Sequence, residues 1–189
     1  AQCLALGDRA HVCLDTGHHA PGTNIEFIVA QLLRLKRLGS FDFNSRFYAD
    51  DDLIVGAADP FQLFRILVEV VRGGGFEEDS GVVFMLDQCH NIEEKIPAQI
   101  RSVMNIQEMT LRALLLDQEA LSEKRQAGDV LGAHQVFMDA FYRDVREELA
   151  DWRETRGKPR HPVEHYMASD YRTAIMADRV GGEAAGWGA

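Results

Sequence analysis

The spacing of apolar residues along this chain changes period several times, and each change marks an element. His11-Val12-Cys13-Leu14-Asp15 is a short apolar run of strand length closed by a carboxylate, and Thr16 to Gly22 after it has the composition of a loop. From Asn24 the apolar residues Ile25, Ile28, Leu32 and Leu35 recur at helical spacing, which predicts an amphipathic helix with Asn24 as its N-cap and Gly39 as its terminator. Phe41 to Asn44 returns to strand character, followed by the acidic loop Tyr48-Ala49-Asp50-Asp51-Asp52. Asp59-Pro60 then places a cap before a proline at the first helical position. Phe61, Phe64, Val68 and Val71 line one face of the helix it starts, and Gly73-Gly74-Gly75 stops it. Val82 to Asp87 is a third strand, apolar on both faces, followed by the loop Gln88-Cys89-His90-Asn91 and a helical region to about Leu116. A further helix is expected from Asp129 to Arg156 with Val130, Phe137, Phe141, Val145 and Leu149 on its apolar side. Periodicity weakens from Gly157, and 181–189 reads as a loose tail.

Continuously apolar strands alternating with amphipathic helices predict an α/β fold with a parallel sheet covered by helices. Three such units are visible. A complete (β/α)8 TIM barrel takes about 250 residues, so a chain of 189 residues holds at most part of one, followed by C-terminal helices. The division expected is 1–118 for the βα units and 119–180 for the helical extension, with no repeat or low-complexity linker marking a second domain. The chain opens on Ala1 and runs directly into an apolar stretch without a leader, so it is expected to begin in mid-domain.

Composition narrows the functional classes. With 46% hydrophobic residues the chain can bury a core of domain size, and a net charge of -10 argues against a nucleic-acid or anionic-membrane partner. A neutral or cationic small ligand fits better. No apolar run approaches the roughly 20 residues that span a bilayer. Cys3, Cys13 and Cys89 form no CxxC pair and suit a reducing compartment, so no structural disulfide and a cytoplasmic location are expected.

The chemistry gathers at strand ends, where parallel α/β folds place reactive groups. Asp15 and His18 flank the end of the first strand. Asp42 and Asn44 lie in the second, with Asp50 and Asp52 in its loop, and Asp87 closes the third with His90 just beyond. Carboxylates suit hard divalent cations, and an imidazole among them shifts the preference toward Mn²⁺, Co²⁺ or Zn²⁺. Taken singly, Asp15 or Asp87 reads as a turn or helix cap; it is the coincidence on three strands that points to a metal. In an extended segment Asp50 and Asp52 share a side and Asp51 faces away, although the triplet reads equally as a solvated acidic loop. His19 and His90 read as supporting or loop residues, and His161 and His165 as surface residues. Gly73 to Gly75 matches no phosphate-binding fingerprint.

The strings Leu14-Asp15-Thr16-Gly17-His18-His19-Ala20-Pro21-Gly22-Thr23-Asn24-Ile25-Glu26, Phe43-Asn44 with Tyr48 and Asp50-Asp51-Asp52-Leu53, and Leu86-Asp87-Gln88 with His90-Asn91 resemble the bacterial L-rhamnose isomerase family of xylose-isomerase-like barrels, from about residue 4 to about residue 180. The resemblance implies an aldose–ketose isomerase interconverting L-rhamnose and L-rhamnulose and accepting other sugars, with two divalent ions per full-length subunit, typically Mn²⁺, in a homotetramer. It implies that Asp15 and Asp87 hold a structural metal, and that His18, Asp50 and Asp52 belong to a catalytic metal and its water, Asp50 or Asp52 shuttling a hydroxyl proton. Two departures stand out. Asp42 occupies a position where a histidine ligand is expected, which makes the site harder and more anionic. The bridging glutamate and the lysine that the family draws from an earlier strand are not found in this chain, so the resemblance implies the last three βα units of the barrel. Another isomerase or an epimerase on the same barrel, or a non-catalytic sugar- or metal-binding remnant, are the alternatives.

Overall fold

The computed structural model describes residues 2–179, and the expected tail at 181–189 falls outside them. Three strands, β1 (Val12–Asp15), β2 (Leu38–Phe43) and β3 (Val83–Leu86), form a parallel sheet in the order β1-β2-β3. The helices are α1 (Gln2–Leu6), α2 (Ile25–Arg34), α3 (Pro60–Arg72), α4 (Lys95–Leu114), α5 (Gln118–Gln126), α6 (Val130–Tyr142), α7 (Arg146–Thr155), α8 (Pro162–Met167) and α9 (Tyr171–Arg179). Strand and helix alternate from β1 to α4, which makes this an α/β fold; the described strands do not close into a barrel.

Local chemistry sets the helix boundaries. The Asn24 side chain accepts a hydrogen bond from the Phe27 N–H at 2.9 Å, and Asp59 accepts one from Gln62 at 2.8 Å ahead of Pro60, so both predicted N-caps form. Gly73 caps α3, and Gly74 takes φ 71°, the left-handed conformation that releases the chain from the helix. Gly39 does not terminate α2. That helix ends at Arg34, Lys36 takes the left-handed conformation in its place at φ 53°, and Gly39 lies inside β2, which begins at Leu38 rather than Phe41. A side chain at Gly39 would run into the β-carbon of His11, so the glycine serves strand contact instead.

Among the described residues, one face of the sheet is covered and the other is not. Leu14, Phe41 and Phe43 are buried against Ile25 and Val29 of α2 and Leu63, Phe64 and Leu67 of α3. Between them Cys13, Asp15 and Asp42 alternate onto the opposite face, because successive strand residues point to opposite sides. β3 is apolar on both faces, as its sequence predicts, but the helices cover only one of them: Val83 and Met85 are 54% and 41% exposed, on the side that no described element covers. The expected helix from Asp129 to Arg156 is two helices. Arg143 is extended at ψ 127°, and the Asp144 carboxylate accepts from the Arg146 N–H and guanidinium, which restarts the chain as α7. Val130 stands 80% exposed, while Phe137 and Phe141 pack edge-on against Phe61 and Phe64 of α3 and join the helical extension to the same core as the sheet.

Candidate metal centre

Register alone brings three carboxylates together. Asp15 pairs directly with Asp42 across β1 and β2, while Phe43 pairs with Leu86 across β2 and β3, so Asp87 emerges one step further along on the same face as Asp42. Adjacent strands lie about 4.8 Å apart, and one oxygen from each of Asp15, Asp42 and Asp87 falls within 4.8 Å of the other two. The Asp87 N–H donates to the Phe43 carbonyl at 3.0 Å and the Thr16 N–H to the Asp42 carbonyl at 3.0 Å, which extends the sheet pattern past the strand ends and fixes the backbone at both outer positions.

Asp15 is held on two sides. Its Oδ1 accepts from the Gly17 N–H at 2.8 Å and from Asn44 Nδ2 at 3.0 Å, and its Oδ2 lies 3.0 Å from His18 Nδ1. Asn44, only 4% exposed, is tied in turn by its N–H to the Thr16 hydroxyl at 3.0 Å, so the residue that the sequence offered as a ligand serves to orient Asp15. Gly17 must be a glycine at this distance, because a β-carbon there would overlap the Asn44 amide.

His18 bridges the two groups of acids. Its Nε2 is 2.8 Å from Asp50 Oδ2 while its Nδ1 faces Asp15, an arrangement that uses both ring nitrogens. The Asp50 hydrogen bond, then the charges of Asp15 and Asp50, hold its imidazole above the ordinary histidine range. The members of the Asp50–Asp52 triplet face different ways. Asp51 turns back into its own loop and accepts from the Phe47 N–H at 2.7 Å and the Tyr48 N–H at 3.1 Å, bonds that keep its carboxyl below the usual range. Asp52 sits in the left-handed region at φ 47°, and burial, then the charges of Asp50, Asp87 and Asp15, raise its carboxyl above that range. Asp42 is raised in the same way, by burial and then by Asp87 and Asp15.

This is an accumulation of like charge with little to neutralise it. Among the described residues no lysine or arginine forms an ion pair with Asp15, Asp42, Asp50, Asp52 or Asp87, and His18 is their one such partner. Clustered carboxylates of this kind are the donor set of a hard divalent cation, whose charge would relieve the repulsion. The residues fit a metal: the carboxylates of Asp15, Asp42 and Asp87 form one donor set, with the hydrogen-bonded pair of His18 and Asp50 beside it.

The other histidines lie around this centre or away from it. His19 is half-buried, and burial followed by the nearby Arg46 charge lowers its pKa. His161 and His165 are exposed at α8, far along the chain in the helical extension. His90 is anchored by Glu93, Nδ1 to Oε2 at 3.1 Å. Glu93 had no place in the sequence-based site. Its spacing of three from His90 was the available signal, but the loop conformation that makes it matter was not visible in the sequence.

No family model matches the chain. It is 40% identical over 175 residues to a protein of Mesorhizobium japonicum named as a probable sugar isomerase, and 38% identical over 179 residues to another so named of Rhizobium meliloti. Each match covers 92% of this chain and 41% of the relative, so the chain spans well under half the length of the curated proteins it is similar to.

Proposed function

We propose that this chain carries the divalent-metal site of an aldose–ketose isomerase acting on L-rhamnose and L-rhamnulose and on related aldoses. The observation that carries the proposal is the convergence of Asp15, Asp42 and Asp87 at three parallel strand ends, with His18 and Asp50 hydrogen-bonded beside them. The similarity to two proteins named as probable sugar isomerases supports the sugar class. In this proposal the sheet is part of a TIM barrel, the last three βα units with the helical extension behind them, in a cytoplasmic homotetramer.

Asp15, Asp42 and Asp87 would hold one ion, and His18, Asp50 and Asp52 a second, with Mn²⁺ the choice for a set of oxygens joined by one imidazole. Such ions supply Lewis acidity toward the sugar oxygens and lower the pKa of water at the site. The chain's own groups do the rest. Asn44 and Gly17 fix Asp15, and Asp15 holds the His18 ring through Nδ1, so that Nε2, now on Asp50, is the nitrogen that would face the ion. Asp52 or Asp50 accepts a sugar hydroxyl proton and returns it. The test is an assay of the whole protein with Mn²⁺ and L-rhamnose, in which ketose is expected to form. Absence of ketose from every aldose tried would overturn the proposal.

A further inference from the structure

Two loops meet at the acidic centre through a backbone hydrogen bond, and one side chain braces the second of them. Gln88 follows Asp87 directly and is 1% exposed, so its amide lies among protein atoms rather than water. Gln88 Nε2 donates to Glu93 Oε1 at 2.6 Å, and the other oxygen of the same carboxylate meets His90 Nδ1 at 3.1 Å. Glu93 therefore closes the loop after β3 into a ring that begins next to Asp87. Between Gln88 and His90, the Cys89 N–H donates to the Asp52 carbonyl at 3.1 Å. Asp52 needs that restraint. A non-glycine residue at φ 47° is uncommon and persists where its surroundings hold it. Its other restraint is the bridge between Leu53 and Ser45, whose backbone bonds are 2.7 and 3.0 Å long.

We infer that Glu93 is a positioning residue of the metal centre: by clamping Gln88 and His90 it fixes the loop that places Asp87 and, through Cys89, the backbone of Asp52. This inference rests on the metal-site proposal above. Glu93 acts on one proposed ligand of each ion, Asp87 and Asp52, so its loss is expected to loosen both ions together. Polar partners behind metal ligands typically change metal affinity by about 10–100-fold when removed.

The experiment is Mn²⁺ titration of the whole protein, followed by the electron paramagnetic resonance signal of the free ion, in the wild type, Glu93→Ala and Glu93→Gln, with thermal unfolding of each metal-free form. Glu93→Ala is expected to weaken Mn²⁺ binding by about 10–100-fold. Glu93→Gln, which keeps an acceptor for Gln88, is expected to weaken it less, with the melting temperature of both close to wild type. Affinity within twofold of wild type in Glu93→Ala overturns the inference while leaving the metal site standing. Equal loss in both variants in step with a lower melting temperature also overturns it, since that is the mark of general destabilisation. A wild-type protein that binds no Mn²⁺ overturns the metal-site proposal and this inference with it.

Discussion

Asp42 shows how one position can be unfavourable for the empty fold and favourable for a ligand. It lies between Phe41 and Phe43, both fully buried, and its carboxylate is directed to the opposite face beside Asp15 and Asp87. Without a cation the three negative charges repel one another. Asp42→Asn is therefore expected to raise the melting temperature of the chelator-treated protein at neutral pH, by about 2 °C if it removes about half to one kcal/mol of repulsion in a chain of this size. The same variant should bind Mn²⁺ more weakly than wild type, so differential scanning calorimetry with and without Mn²⁺ should show opposite signs. Gly17 is the complementary case, a residue with no functional group on which a ligand depends. Gly17→Ala would push Asn44 off Asp15, and an affinity loss of about tenfold is expected in Mn²⁺ titration.

Among the elements, the loop from Phe47 to Leu53 is stabilised by the acid that the centre does not use. Asp51 gathers the N–H groups of Phe47 and Tyr48, and this fold-back turns Asp50 toward His18. Asp51→Ala removes two charge-assisted hydrogen bonds from an exposed loop. Its expected effect is a more mobile loop, read as faster proteolysis or amide exchange at 46–52, with global stability lowered by about 1 kcal/mol or less. The helix caps behave more simply. Asn24→Ala deprives the Phe27 N–H of its acceptor and should cost about 1 kcal/mol in chemical denaturation. Capping residues were legible in the sequence because a cap is a local interaction spanning three residues. Gly39 reads as a helix stop along the chain for a related reason: its use depends on His11, which lies 28 residues earlier, just before β1.

Across the whole molecule, the aromatic cluster of Phe61, Phe64, Phe137 and Phe141 joins the sheet-covering helix α3 to α6. Ring centroids of Phe64 and Phe137 stand 5.0 Å apart and Phe64 is fully buried. Phe64→Ala should destabilise the fold by about 3–5 kcal/mol. Because the cluster spans both parts, far-ultraviolet circular dichroism and tyrosine or tryptophan fluorescence are expected to report one shared transition at a lower denaturant concentration. Separate transitions would show that the βα units and the helical extension unfold independently. The uncovered sheet face, with Val83 and Met85 exposed beside the acidic centre, belongs to this scale too, since a strand's burial is fixed by what packs on it and not by its own residues.

Legible along the chain are the alternation of strand and helix, the caps at Asn24 and Asp59, and the presence of acids at the ends of all three strands. These follow from periodicity and from contacts a few residues long, which a linear reading captures. Tertiary structure decided which acids meet. The pairing of Asp15 with Asp42, the placing of Asp87 on the same face, the turning of Asp51 into its loop and the clamp made by Glu93 all depend on strand register and loop path. A shift of one residue in a strand would have sent its aspartate to the buried face, so the site exists only because the buried phenylalanines and leucines of the opposite face hold each strand in place.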